Sequence, residues 1–138
     1  MVIEARPDVF NHNVETVERL YPEARRGARL DRSLGLLAAA KLLDPAITTK
    51  SGLMLGLGEH EEEVHALLGR LREANVDVVT IGQYLRPSLE NLPVVEYVPP
   101  EAFDRYREFA ESLGFRHAFA GPFVRSSYRA EEFALPRA

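Results

Sequence analysis

Residues 11–15 bring four hydrogen-bonding side chains, Asn11, His12, Asn13 and Glu15, into five positions of the 138-residue chain. Their amide, imidazole and carboxylate groups supply the donors and acceptors that could hold a sugar hydroxyl or an amino-acid group. The same residue types also form turns whose polar groups cap a following helix. The segment is therefore a candidate ligand site, with a turn and helix cap as the alternative.

A second candidate is the segment 52–59, which reads GLMLGLGE. Glycine weakens a β-strand because it adds no side chain to the packing, so Gly52 and Gly56 need a reason. One reason is close approach of a flat ligand to the backbone, with Gly58 and Glu59 completing the strand end. The other is tight helix–strand packing followed by an ordinary turn. The segment matches neither the phosphate loop with Gly-Lys-Ser/Thr nor the dinucleotide fingerprint.

The other polar clusters are less specific. Residues 125–128 read Arg-Ser-Ser-Tyr, which a surface turn also explains, and no Ser-His-Asp triad can be assigned from spacing. His60 and His65 are five apart and do not align on one helical face, so no histidine metal site is predicted. Four arginines could meet an anionic partner, although solvated helix ends carry such clusters routinely: Arg25, Arg26, Arg29 and Arg32.

The composition excludes several classes of function. The chain has no cysteine, which excludes disulfides, a catalytic thiol, a thiolate zinc site and an iron–sulfur cluster held by cysteines within these residues. The net charge of −4 argues against bulk nucleic-acid binding. The longest apolar runs are far shorter than the ~20 residues of a membrane span, and no secretory signal pattern is present. We therefore expect a cytoplasmic protein without membrane or nucleic-acid partners.

Hydrophobic spacing predicts an α/β fold in which strands and helices alternate. The predicted strands cover residues 8–10, 48–55, 76–81 and 117–120. The predicted helices cover residues 15–20, stopped by Pro22; a segment capped by Asp31 and ended by Asp44 and Pro45; and residues 61–74 and 100–113.

Each predicted helix can connect two parallel strands, so the strands should end at a common edge of one sheet. The polar segments 11–13, 56–59 and 83–86 each follow a predicted strand. This is the edge at which α/β proteins bind ligands. The sequence therefore predicts a ligand site there.

Five motifs, in this order and spacing, closely resemble the C-terminal half of lipoyl synthase, a radical S-adenosylmethionine enzyme family. They are residues 8–17 (DVFNHNVETV), 31–34 (DRSL), 49–59 (TKSGLMLGLGE), 81–88 (IGQYLRPS) and 121–128 (GPFVRSSY). Each motif alone is modest, but together they extend from Arg6 to about Ala130. The resemblance implies the C-terminal part of an open (β/α)₆ partial TIM barrel with parallel strands and crossover helices. Residues 1–120 would belong to the barrel, and residues 121–138 would form a tail with the Arg-Ser-Ser-Tyr motif.

The activity that the resemblance implies is a sulfurtransferase reaction of lipoate biosynthesis. Two sulfur atoms are inserted into an octanoyl chain attached to a lysine of a carrier protein. In the family, one 4Fe-4S cluster cleaves S-adenosylmethionine to give a 5′-deoxyadenosyl radical. A second, auxiliary cluster is consumed as the sulfur source.

The resemblance also implies roles for individual residues. Ser126, or else Ser127, matches the serine that ligates one iron of the auxiliary cluster. The strand end with Gly56, Gly58 and Glu59 matches the motif that approaches the adenine of S-adenosylmethionine. The other predicted cofactor-binding residues are Asn11 and Asn13 for its ribose or methionine end, Arg32 and Lys50 for anionic groups such as its carboxylate, and Gln83 and Leu85 for the cavity wall.

One departure from the family bears on the function. Its two cysteine motifs lie N-terminal to the matching region, and neither occurs in this sequence. We therefore expect no cluster and no lipoyl synthesis on this chain alone, and we expect an octanoylated carrier domain and a missing N-terminal half as partners. One alternative is a non-catalytic module that binds S-adenosylmethionine or the carrier domain. The other is a cluster-free, aldolase-like lyase with Lys50 as a Schiff-base lysine.

Overall fold

The computed structural model of the chain describes residues 9–25 and 27–124. The strands are β1 (Val9–Asn11), β2 (Thr48–Leu55), β3 (Val78–Gln83) and β4 (His117–Ala120). The helices are α1 (Tyr21–Ala24), α2 (Leu30–Leu43), α3 (Glu61–Glu73) and α4 (Pro100–Leu113), and a 3₁₀ turn at Glu18–Leu20 precedes α1.

The strands form one parallel sheet in the order β1-β2-β3-β4, with helices in the crossovers. Lys50 of β2 pairs in register with Asn11 of β1 and with Val78 of β3. All four strands therefore end at the same edge, as the sequence predicts. The α/β class with a parallel sheet and crossover helices is confirmed.

The start of α3 and both ends of α4 carry residues that favour a helix terminus. The first turn of α3 holds three glutamates, whose negative charge suits the positive end of the helix dipole. Helix α4 has Pro100 in its first turn, where no intrahelical N–H is required. Gly114 follows α4 with a φ of 98°, the left-handed conformation that suits glycine at a helix end.

The two faces of the sheet differ because side chains alternate along each strand. On one face, apolar side chains of the central strands join the helices in a single hydrophobic cluster: Leu53, Leu55, Val79 and Ile81. The paired positions of the opposite face carry smaller or more polar residues: Lys50 with Val78, Gly52 with Thr80, and Met54 with Gly82. The helices thus pack against one face of the sheet, and the smaller or more polar residues lie on the other.

The amino ends of the strands are connected by the carboxylate of Asp77, the residue that precedes β3. The Asp77 side chain accepts a hydrogen bond from the backbone N–H of Thr49 at 3.0 Å and forms an ion pair with Lys41 of α2. The backbone carbonyl of Asp77 accepts the N–H of Arg116 at 2.8 Å, directly before β4. One residue therefore connects α2, β2, β3 and β4.

Three local predictions are wrong. The predicted helix over residues 15–20 does not start at Glu15, which has a φ of 74° and bridges to β2 at Leu53, and only Glu18–Leu20 form a 3₁₀ turn. Pro22 does not stop a helix but lies in the first turn of α1. Asp31 is not the cap of α2, because that helix begins at Leu30 with Arg29 as its N-cap.

Strand β3 is displaced by two residues from its predicted range. It runs over Val78–Gln83 instead of 76–81, so Gly82 and Gln83 belong to the strand. Val76 is fully buried in the connection before the strand, which explains why it looked like a strand residue. In the described part of the chain, none of the helices combines the length and apolar character that a bilayer span requires.

Candidate functional site

A cavity of about 160 Å³ lies at the carboxyl edge of the sheet. Its volume corresponds to roughly five water molecules, or to one sugar-sized fragment of a ligand. It is lined by Asn13, Glu15, Gly52, Leu53, Met54, Thr80, Gly82, Gln83 and Val124. No lysine or arginine lines it among the residues that the structure describes, so the one ionisable group on its wall is the Glu15 carboxyl.

A break in the pairing of β1 brings Asn13 and Glu15 to this cavity. The backbone N–H of His12 donates to the carbonyl of Lys50 at 3.0 Å. Pairing then resumes at Glu15, whose backbone N–H donates to the carbonyl of Gly52 at 3.0 Å and whose carbonyl accepts the N–H of Met54 at 2.8 Å. Glu15 has a φ of 74°, a left-handed conformation that costs a glutamate about 1–3 kcal/mol. Residues held in such conformations cluster at functional sites.

The cavity wall contains polar oxygens that have no partner within the described residues. The side-chain oxygen Oδ1 of Asn13 is buried, and no described group hydrogen-bonds to it. No hydrogen bond to the Glu15 carboxylate occurs among the described residues either. A buried acceptor without a donor costs about 1–3 kcal/mol. A ligand that donates hydrogen bonds would recover this cost.

Gly52 makes room for these side chains. A Cβ atom at this position would lie 2.7 Å from Oγ1 of Thr80 and 3.0 Å from Oδ1 of Asn13. The glycine therefore allows two polar side chains to converge over the strand. Both interpretations of Gly52 from the sequence, ligand approach and tight packing, therefore apply. The side chains that pack against it, Thr80 and Asn13, also line the cavity.

The loop after β2 is shaped by its own carboxylate. Gly56 and Gly58 have φ values of 100° and 108°, which side chains rarely adopt. Glu59 accepts the N–H of Gly56 at 2.9 Å and the N–H of Leu57 at 3.0 Å. Its visible role is therefore to hold the glycine loop, and it does not line the cavity.

Gln83 joins this loop to the connection between β3 and α4. Its amide nitrogen donates to the carbonyl of Glu96 at 3.0 Å, and its oxygen accepts the N–H of Val98 at 2.9 Å. A Cβ at Gly56 would lie 2.4 Å from that amide nitrogen. Gln83 thus lies on the cavity wall, with its orientation fixed by the backbone around it.

Arg19 and Glu63 brace the loop from outside. The Arg19 guanidinium donates to the Glu63 carboxylate at 2.8 and 3.0 Å, and to the carbonyl of Gly58 at 2.8 Å. Glu63 also accepts the N–H of His60 at 2.8 Å, closing the first turn of α3. The hydrogen bond from Arg19, and to a smaller extent the one from the His60 N–H, lowers the pKa of Glu63 from 4.5 to about 2.

We expect Glu63→Gln to change the pH dependence of stability. A carboxylate whose folded pKa is depressed stabilises the fold above its unfolded pKa, and this contribution disappears as the pH falls from about 4.5 to about 2. The melting temperature of the unmodified chain should therefore fall more steeply than that of the variant between pH 5 and pH 2. Above pH 5 the variant should melt lower. Glu62→Gln, which changes an exposed glutamate of the same turn, is the control; equal pH profiles for both variants would contradict the expectation.

The remaining predicted residues lie away from the cavity wall. Lys50 is buried in β2, two residues before Gly52, and burial lowers the pKa of its ammonium group. Asn11, its partner in β1, is exposed, as is Arg32 in the first turn of α2. Leu85 is 48% exposed beyond β3. Ser126 and Ser127 lie outside the described residues.

The histidine next to the cavity is bound to the neighbouring helix. Nε2 of His12 lies 3.0 Å from Oγ of Ser33 in α2, and burial, followed by the charge of Arg25, lowers the pKa of His12. Within residues 9–25 and 27–124, no group of three histidine, aspartate or glutamate side chains could hold a metal ion.

The cavity therefore gathers Asn13 and Gln83 from the predicted set, while Gly56 contacts Gln83. Sequence reasoning missed Thr80, Gly82 and Val124. Thr80 could have been found from the strand register, because aligning β2 with β3 places it opposite Gly52. Nothing in the sequence signals the approach of Val124.

No protein-family model matches the chain. Among curated proteins, the lipoyl synthase of Caldicellulosiruptor saccharolyticus is 56% identical over 131 residues, covering 95% of this chain and 46% of the relative. The lipoyl synthase of Caldanaerobacter subterraneus subsp. tengcongensis is 58% identical over 130 residues, covering 94% and 46%. That of Rubrobacter xylanophilus is 55% identical over 131 residues, covering 95% and 41%.

The chain thus spans less than half the length of these curated relatives. Over almost all of its own length, however, more than half of the positions are identical in each of them. Identity at this level over about 130 residues shows that the chain shares common descent with the matching part of these lipoyl synthases.

Proposed function

We propose that this chain forms part of an enzyme that inserts two sulfur atoms into an octanoyl chain on a lysine of a carrier protein. The observation that carries the proposal is the cavity at the carboxyl edge of the sheet, whose wall holds the Oδ1 of Asn13, buried and unpartnered among the described residues, and the carboxylate of Glu15. The curated relatives named above are lipoyl synthases, and their identity to this chain supports the same reaction.

The cavity residues fit one end of S-adenosylmethionine. This molecule carries a sulfonium and an ammonium group, and its ribose hydroxyls are hydrogen-bond donors. The Glu15 carboxylate would hold a cationic group, and the buried Oδ1 of Asn13 would accept a hydroxyl proton. When bound, S-adenosylmethionine supplies the one-electron chemistry that activates the octanoyl chain.

The chain's own residues would bind and orient this ligand. Thr80 and Gln83 add polar groups to the wall, and the loop with Gly56, Gly58 and Glu59 would form its backbone rim. We keep four further residues in the proposal although they do not line the cavity: Asn11, Arg32, Lys50 and Leu85. Arg32 and Lys50 would supply positive charge for a carboxylate.

The residues of this chain do not fit an iron–sulfur cluster. The sequence has no cysteine, so no thiolate is present to hold the irons. We propose only that Ser126 or Ser127, in the tail 121–138, offers an oxygen ligand to a cluster held by cysteines outside these residues.

We also propose that the sheet is part of an open (β/α)₆ barrel. Parallel strands in strictly sequential order are the arrangement of β/α barrels, whereas doubly wound sheets reverse their strand order. An N-terminal half with further strands would be the structural partner, and the octanoylated carrier domain the substrate partner. The cytoplasm is the proposed location.

A chimera tests the proposal. This chain replaces the matching segment of the Caldicellulosiruptor saccharolyticus lipoyl synthase in a bacterial strain that lacks its own enzyme. We expect growth without added lipoate, and loss of growth when both Ser126 and Ser127 are changed to alanine. The control is the same junctions carrying the relative's own segment.

No growth of the chimera beside a growing control, with the chimeric protein folded, would contradict the enzymatic role. The alternative of a binding module would then be favoured if the purified chain alone still bound S-adenosylmethionine by calorimetry. Borohydride trapping of a carbonyl ligand on Lys50 would support the lyase alternative instead.

A further inference from the structure

Gly82 is the second-last residue of β3 and lies opposite Met54 of β2. Its φ is not in the left-handed region, so the backbone conformation there suits any residue. Glycine within a strand costs stability because it gains no packing and loses more conformational freedom on folding. This cost directs attention to what lies next to Gly82 outside the strand.

The chain segment that follows β4 lies next to Gly82. Pairing of β3 with β4 ends at Ile81 and Ala120, and the N–H of Gly121 donates to the carbonyl of Ile81 at 3.0 Å. The N–H of Val124 then donates to the carbonyl of Gly121 at 3.2 Å, which turns the chain back over the sheet. We name residues 121–124 the strap.

The strap passes over Gly82 at a distance that no side chain permits. A Cβ atom at position 82 would lie 2.0 Å from the carbonyl oxygen of Val124 and 3.1 Å from its carbonyl carbon. Contacts under 3.0 Å essentially never occur for real Cβ atoms, so the carbonyl would have to retreat by at least about 1 Å. The obstructing atoms are backbone and cannot rotate away.

We infer that Gly82 is a positioning residue for the strap, and through it for the segment that begins at Arg125. The carbonyl carbon of Val124 is covalently bonded to the nitrogen of Arg125, so its position fixes where the Arg-Ser-Ser-Tyr motif starts. This inference rests on the proposed role of Ser126 or Ser127 as a ligand of iron. Val124 also lines the cavity, so the same contact closes one wall of the ligand site.

The absence of cysteine makes the contact directly measurable. Phe123, which is 90% exposed on the strap, is changed to cysteine in the full chain and given a nitroxide spin label. We expect the label to move slowly, and Gly82→Ala to increase its mobility several-fold. Gly69→Ala is the matched control, because a Cβ at Gly69 meets nothing within 4 Å. The melting temperature of each variant is measured to confirm that it is folded.

A second comparison does not depend on Gly82→Ala folding. In the otherwise unmodified chain, a label at position 123 should be less mobile than one at Leu89, which is 85% exposed. Equal mobility at the two positions would overturn the inference. Unchanged mobility at position 123 in a folded Gly82→Ala variant would also overturn it.

The inferred effect of Gly82 on lipoyl formation is tested in the chimera. Displacement of a reacting group by about 1 Å costs roughly 100-fold in rate, so Gly82→Ala should lower lipoyl formation by about that factor while Gly69→Ala leaves it unchanged. A mobile strap with normal lipoyl formation would overturn the link from the strap to the serine. Full activity of the variant with both serines changed to alanine would instead refute the proposed serine role, and the label would still report on the strap.

Discussion

The Glu15→Gln variant is expected to bind S-adenosylmethionine about 10- to 100-fold more weakly than the unmodified chain. Glu15 carries the one ionisable group on the described cavity wall, and its carboxylate has no hydrogen-bonding partner among the described residues. A hydrogen bond to a charged group contributes about 1.5–3 kcal/mol, which corresponds to this loss of affinity. Glutamine keeps the size and shape of the side chain and removes only the charge. Calorimetric titration of the purified chain measures the change.

Glu18→Gln is the matched control for Glu15→Gln. Glu18 lies three positions further along, exposed, in an ion pair with Arg70 at 3.2 Å. Its substitution should leave the affinity unchanged, because it does not line the cavity. Raising the salt concentration should weaken binding to the unmodified chain and leave binding to Glu15→Gln nearly constant. Equal affinities of the two variants would show that the Glu15 carboxylate does not contact the ligand.

The Asp77→Ala variant is expected to lose about 3 kcal/mol of folding stability. Its carboxylate is 13% exposed and pairs with Lys41, whose side chain is 20% exposed. Removing one partner of a largely buried pair leaves the other charge uncompensated, and here it also leaves the N–H of Thr49 without its acceptor. Urea unfolding followed by circular dichroism would detect the loss as a lower midpoint with an unchanged slope.

The control for Asp77→Ala is Asp104→Ala on the surface of α4. Asp104 lies 3.7 Å from Arg107 and its side chain is 65% exposed, so its removal should cost under about 0.5 kcal/mol. Affinity for S-adenosylmethionine should be unchanged in both variants while they are folded, because Asp77 lies at the end of the sheet opposite the cavity. A smaller loss for Asp77→Ala than for Asp104→Ala would contradict the expected role of the buried pair.

The sequence predicted the long, strongly patterned elements well. Strand β2 and helix α4 occupy their predicted ranges, because a buried apolar run and a proline-to-glycine helix are each specified by their own residues. The common carboxyl edge of the strands also followed from the sequence, since crossover helices make the strands parallel.

Two features of the site could not be predicted, because they depend on contacts distant in the chain. Glu15 looked like the start of a helix, and its left-handed conformation is imposed by hydrogen bonds to Gly52 and Met54, almost forty residues away. Gly82 looked like part of a motif, and only the position of Val124 explains it. Local propensity carries no information about such pairings.

The strictly sequential strand order has a consequence for how the protein is made. Each strand pairs with the strand synthesised just before it, so every new pairing closes only the loop that contains one crossover. The sheet can therefore grow strand by strand as the polypeptide leaves the ribosome, without waiting for distant segments. Translation and sheet growth run in the same direction, and the cavity, which takes a wall residue from Val124, is completed last.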